Sequence, residues 1–175
     1  MATNTAAFNR DANRVPITQN GLVVSKSYTF SANGTVVVPI FTITGSVLVK
    51  ALYGVVTATI GSNHTAASWR INDQTAQVYL TVVSGTTVSS LGVGSTIDKV
   101  ALVGAALDAD SNAAAGVEEA ASAGLPYYQE FRLWKKLNAL TQIEYRYITN
   151  NSSAGAMTFY CGFIPLSDDG DVAEA

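Results

Sequence analysis

Cysteine occurs once in this sequence, at position 161, so no disulfide can form within the chain and no cysteine-built zinc site is available. Charge is almost as scarce. Asp, Glu, Lys and Arg together make 13% of the 175 residues, about half the usual share of roughly 25%. The net charge is −3, and among the ten basic residues only Lys135 and Lys136 adjoin. That leaves no basic field for holding a phosphate backbone, and nucleic acid is not an expected partner. No apolar run approaches the length of a membrane span, and the opening residues MATNTAAFNRDANR lack the apolar core of a secretion signal. A membrane partner is therefore not expected either, and the chain is expected to fold in a cytoplasm. It contains no P-loop, dinucleotide fingerprint, histidine cluster or G-x-S-x-G elbow.

What the chain does have is Thr, Ser, Asn, Gly, Ala and Val, a composition that favours strands joined by polar turns. The stretch Gly45 to Gly61, GSVLVKALYGVVTATIG, is the strand-like tract around which the rest of the chain is read. Alternation places Val47, Val49, Ala51 and Tyr53 on one face and Leu48, Lys50 and Leu52 on the other. Gly54 predicts two strands here, or one bent at the glycine. Before it, residues 22–30 alternate as a strand, with Val24, Lys26, Tyr28 and Phe30 sharing a face. Asn33-Gly34 then separates this run from residues 35–44, the pattern of a β-hairpin. Pro39 marks the second run as an edge strand or as the site of a bulge.

Later, short strands are expected over 68–71 and 77–83, joined by a turn at Asn72-Asp73-Gln74, and over 99–103. Residues 84–96 read as a long loop or ragged edge. Residues 128–140 fit helical and strand spacing alike, and the clear strand that follows favours strand. In that strand Ile143, Tyr145 and Tyr147 share a face. In the last one Met157, Phe159, Cys161 and Phe163 do, which makes Cys161 a buried, inert thiol. Eight or nine short strands without a convincing long helix predict an all-β chain, a jelly-roll-like β-sandwich. The expected organisation is an extended N-terminal arm (1–21), the sandwich (22–166) with a surface insertion (104–125), and an acidic C-terminal tail (167–175).

Candidate chemistry is thin. His64, in Ser62-Asn63-His64-Thr65, reads as an exposed loop histidine rather than a catalytic base. Asp108, Asp110, Asn112 and Glu119 match oxygen-ligand positions of a calcium loop, but Ala113 stands where a glycine must turn the chain, so a solvated acidic loop is the better reading. Glu118-Glu119 and Asp168-Asp169 read as solvated charge. Tyr127, Tyr128, Trp134, Tyr145, Tyr147 and Tyr160 read as packing residues before they read as a sugar-binding face. The sequons at Asn33, Asn63, Asn150 and Asn151 read as polar turns. No catalytic residue, metal or cofactor is assigned.

Three stretches carry a resemblance. The arm's Asn9-Arg10-Asp11-Ala12-Asn13-Arg14-Val15-Pro16 is similar to an R-D-x-N-R-V-P opening in small virion proteins of tailed bacteriophages. GSVLVKALYGVVTATIG resembles their strand leading into a G-x-V-T-T-x-I segment, and GAMTFYCGFIPLSDDGDVAEA resembles their last strand and P-L-D-x-G ending. The regions 104–125 and 128–140 depart from that pattern. The resemblance implies a non-enzymatic structural component of a phage particle, assembled in the host cytoplasm. The first choice is a decoration (cement) protein on the capsid surface, bound to the major capsid protein or other virion proteins. The alternative is an adhesin on a tail or head fibre that binds host surface glycans. Arg10, Asp11, Asn13, Arg14, Val15 and Pro16 are the expected partner-binding residues, and a homotrimer is the expected assembly.

Overall fold

Met157, Phe159, Cys161 and Phe163 alternate with Thr158, Tyr160 and Gly162 along a single strand, and all four are buried. The same two-residue period buries Ile143, Tyr145 and Tyr147 on another. Two such strands cannot hide their apolar faces alone, and they do so by facing each other from separate sheets. The computed structural model describes residues 21–30, 33–61, 64–81, 88–99, 108–110, 130–149 and 154–175. Their strands are β1 (Leu22–Thr29), β2 (Gly34–Thr44), β3 (Ser46–Ala58), β4 (His64–Asn72), β5 (Gln77–Tyr79), β6 (Thr96–Asp98), β7 (Asp108–Asp110), β8 (Phe131–Trp134), β9 (Thr141–Thr149), β10 (Ala156–Pro165) and β11 (Asp171–Glu174).

The chain is an all-β sandwich of two antiparallel sheets packed together. One sheet runs β1-β10-β3-β6-β7, with β8 also paired to β3; the other runs β11-β2-β9-β4-β5. Across the interface Phe159 of β10 meets Trp69 of β4 edge-on at 5.4 Å and Tyr145 of β9 at 5.1 Å.

Several expectations change. Asn33-Gly34 does not close a hairpin. β1 pairs with β10 and β2 with β9, so this turn carries the chain from one sheet to the other. Asn-Gly supplies a backbone reversal without choosing which strand is met afterwards. β3 is one continuous strand through Gly54. Its irregularities lie elsewhere: the register against β10 skips Lys50 and again Thr57. The extra residue at Lys50 reverses the alternation, so Val47 and Val49 are followed inward by Leu52, Gly54 and Val56, while Ala51 and Tyr53 turn outward. Pro39 stands next to a bulge at Ile40, and β11 covers β2 only over Phe41 to Thr44, so the missing N–H of Pro39 interrupts no ladder on that side. The tail of 167–175 is not a tail: Asp171–Glu174 form β11, and Val172 is buried in the core. Within 104–125 the described residues are Asp108–Asp110, extended as β7 against β6. The strand reading of 128–140 holds for Phe131–Trp134.

Two glycines set tight approaches. Gly45 links β2 to β3 at φ +53°, and a Cβ there would lie 2.4 Å from both Ser167 Oγ and Asp169 Oδ1 of the β10–β11 turn. Gly54 faces the core, where a Cβ would lie 2.6 Å from Met157 Sδ and 3.0 Å from the Phe159 ring. Gly162 points outward, where a Cβ would meet only Ala51, at 3.6 Å. Gly54→Val should therefore lower stability by about 1–3 kcal/mol, and Gly162→Ala should stay within about 0.5 kcal/mol of wild type. Urea unfolding of the two variants measures both, and equal losses would refute the packing argument.

Candidate functional site

His64 is fully buried at the start of β4, not exposed in a loop. The register of β4 against β9 inserts an extra residue at Ala66-Ala67, with Ala66 at φ +52°. That bulge lets His64 and Trp69, five positions apart, face the same core. The imidazole stacks on Tyr147 at 4.3 Å, meets Phe30 edge-on at 4.7 Å, and its Nε2 shares a 3.1 Å hydrogen bond with the Tyr145 hydroxyl. Nδ1 is buried without a hydrogen-bond partner. Desolvation lowers the His64 pKa to about 4. Burial, with help from Tyr147, drives the Tyr145 phenol far above its ordinary range. Stacked together, hydrogen-bonded and shut off from solvent, His64, Tyr145 and Tyr147 pack the core. Cys161 is likewise sealed in, and burial raises its thiol to about 12.

A second polar group sits on the outward face of β4 and β9. Arg70 Nε donates to Glu144 Oε2 at 2.5 Å, Asn72 Nδ2 donates to Glu144 Oε1 at 2.8 Å, and Arg70 Nη1 donates to Gln77 Oε1 at 2.8 Å. Both charges are nearly inaccessible. The network ties β5 to β4 and β9. At the adjoining turn Asp73 Oδ1 accepts from the Thr75 and Ala76 amides, and the carboxylate pairs with Lys136 at 3.0 Å. These partners, Lys136 first, hold the Asp73 carboxyl well below the usual range.

The open surface lies between the sheets at the β5–β8 edge. A groove of about 480 Å³ is lined there by Ile71, Val78, Leu80, Phe131, Leu133 and Trp134 together with Asp73, Arg132, Lys136 and Thr141. Trp134, 63% exposed, and Val78 are the exposed apolar side chains that line it. Arg132 and Lys135 are exposed on the same segment. Trp and Arg at an apolar groove are the residue types over-represented where proteins bind one another.

Of the aromatic candidates, Tyr145 and Tyr147 belong to the core. Tyr160 is half-buried and stacks on Tyr53 at 5.0 Å on the outer face of its sheet. Trp134 is the exposed one. Tyr127, Tyr128, Glu118 and Glu119 lie outside the described residues, as do the arm residues Arg10, Asp11, Asn13, Arg14, Val15 and Pro16. The groove went unnoticed in the sequence because Val78 and Trp134 are 56 positions apart. The one available signal was the crowding of Arg132, Trp134, Lys135, Lys136 and Leu137 in a chain otherwise poor in charge.

Comparison with protein-family models, with curated proteins and with solved structures finds no match in any of the three.

Two outcomes follow from the buried polar groups. A histidine protonating near 6.5 when unfolded but near 4 when folded makes the unfolded chain bind the extra proton between those values. Its contribution to stability is complete above pH 6.5 and is lost as pH falls toward 4, by about 3 kcal/mol in all. Denaturant titrations from pH 7 to 4.5 should show that slope, and His64→Gln should flatten it. Glu144→Ala strands the Arg70 guanidinium in a dry site and should cost about 3–5 kcal/mol. A loss below 1 kcal/mol would mean that solvent reaches Arg70 freely.

Proposed function

We propose that this protein is a non-enzymatic structural component of a tailed-phage virion that binds the outside of the capsid shell as a decoration protein. The observation that carries the reading is the strand order. The sheets β1-β10-β3-β8 and β2-β9-β4-β5, with β6, β7 and β11 at the margins, support a jelly-roll-like reading of the sandwich, an architecture used in viral shells and lectins. Fold alone leaves function open, and the three stretches of sequence resemblance supply the choice of virion.

In this reading the sandwich is a rigid block and the arm of residues 1–21 is the anchor. Arg10, Asp11 and Arg14 offer charge-assisted hydrogen bonds to the major capsid protein or another virion protein. Val15 and Pro16 favour extended backbone. The protein assembles as a homotrimer. The second reading, a fibre-borne adhesin for host glycans, is favoured by the exposed Trp134 ring, a surface on which a sugar face can stack.

Immunogold labelling of purified particles separates the two: many copies over the shell support decoration, whereas a few copies at the tail or on fibres support adhesion. Deleting residues 1–19 should leave urea unfolding of the sandwich unchanged and abolish or sharply weaken attachment to stripped capsids. Wild-type occupancy by the truncated protein would exclude the arm as anchor.

A further inference from the structure

Three asparagines lie among the described residues, and their surroundings differ. Asn72 is held at both ends of its amide: Nδ2 donates to Glu144 Oε1 at 2.8 Å, and Oδ1 accepts from the Gln74 amide at 2.9 Å. Asn138 is exposed at φ +58°, and Ala139 after it carries a methyl group beside its amide nitrogen. Asn33 is exposed, and among the described residues its side-chain amide has no hydrogen-bond partner. Gly34 follows it, exposed at φ +87°, with no atom within 4 Å of where a Cβ would stand. Gly34 also forms the last pair of the β2–β9 ladder, opposite Thr149, and ladder ends are where main-chain bonds open most readily.

The sequence holds a second Asn-Gly pair, and the fold treats it differently. Asn20 lies outside the described residues, but Gly21 is packed against β10 at φ +74°. A Cβ there would lie 2.2 Å from the Phe163 carbonyl oxygen and 3.0 Å from Ile164 Cγ1. The Gly21 nitrogen therefore has little room to swing, whereas the Gly34 nitrogen borders open space.

We propose that Asn33-Gly34 is a site of spontaneous covalent modification, at which the Asn33 amide becomes a carboxylate with no enzyme. The Gly34 main-chain nitrogen gives up its proton to solvent base and attacks Cγ of Asn33. A bond forms between Cγ and that nitrogen, the bond from Cγ to Nδ2 breaks, and ammonia leaves. The product is a cyclic imide, and water then adds to either of its carbonyl carbons. Addition at Cγ gives aspartate. Addition at the Asn33 main-chain carbonyl carbon gives isoaspartate, in which the chain runs through the side chain. One water is consumed and one ammonia released, with no oxidation. Glycine favours the attack because no Cβ crowds the nitrogen. The formal net charge moves from −3 to one unit more negative. Isoaspartate lengthens the main chain by one methylene at the crossing from β1 to β2, and the open space around Gly34 takes up that length without displacing a neighbour. The change runs in one direction, so the modified fraction records the age of the molecule. It needs no partner and holds whether or not the protein sits on a capsid.

The test incubates the full native chain in warm, mildly alkaline buffer and follows it by ion-exchange chromatography and by peptide mapping with mass spectrometry. A more acidic species should accumulate. Its modified peptide should contain residue 33, and enzymatic methylation of that peptide should reveal isoaspartate. Asn33 should convert ahead of Asn20, Asn72 and Asn138. Asn33→Gln, whose longer side chain does not close the same ring, should lose that species entirely while keeping the circular dichroism spectrum and urea midpoint of wild type. In urea sufficient to unfold the chain, Asn20 and Asn33 should convert at similar rates, since both precede glycine. Folding should then be what separates them. A native chain that stays intact at Asn33 overturns the assignment, and so does a native Asn20 that keeps pace with Asn33 or outruns it. None of these results bears on the particle-labelling experiment.

Discussion

Phe159 reaches from one sheet to touch Trp69 and Tyr145 in the other, and the phase of every neighbouring strand is set by the need to keep facing that aromatic layer. A strand with strict alternation can stay in phase only while its twist and length match its partner's. Where they do not, one extra residue restores the inward face at the cost of a ladder hydrogen bond. That happens at Lys50 and Thr57 on β3, at Ile40 on β2 and at Ala66-Ala67 on β4. Ring contacts of this type contribute about 0.5–1.5 kcal/mol each beyond the area they bury, comparable to what an interrupted ladder gives up.

The same bulges mark the limit of what could be read from residue order. β1, β9 and β10 keep an unbroken period of two over eight or more residues, and their faces were legible as written. β3 was legible as a strand but not in its faces, because the phase change at Lys50 leaves no compositional trace. His64 looked like a loop residue for a related reason: the bulge at Ala66 separates it from Trp69 by an odd number of positions. Gly54 suggested a break, whereas the glycine is required by the Met157 sulfur opposite it. β11 was obscured by its charge, since Asp-Val-Ala-Glu carries one core residue among groups that usually mark a solvated end. The groove between β5 and β8 is a product of topology, and no local pattern encodes it.

Scarcity of charge becomes informative once the charges are located. Several are spent on internal order: Arg70 with Glu144 on the covered face of β4 and β9, and Lys26 bridging the sandwich margin where β1 faces β2 and β11.

The pairing of β1 with β10 has a kinetic consequence. Leu22 finds Phe163 as its partner, so β1 waits for β10 until synthesis has passed Phe163. β2 waits similarly for β9 and β11. Native contacts of such high sequence separation make folding slow, on the order of milliseconds to seconds. During that interval the alternating apolar faces of β1, β2 and β3 are open to other nascent chains. Yield in a producing cell is then governed by a race between completing the C-terminal strands and aggregation of the early ones. Slower elongation would lengthen exposure of the early strands rather than help them fold.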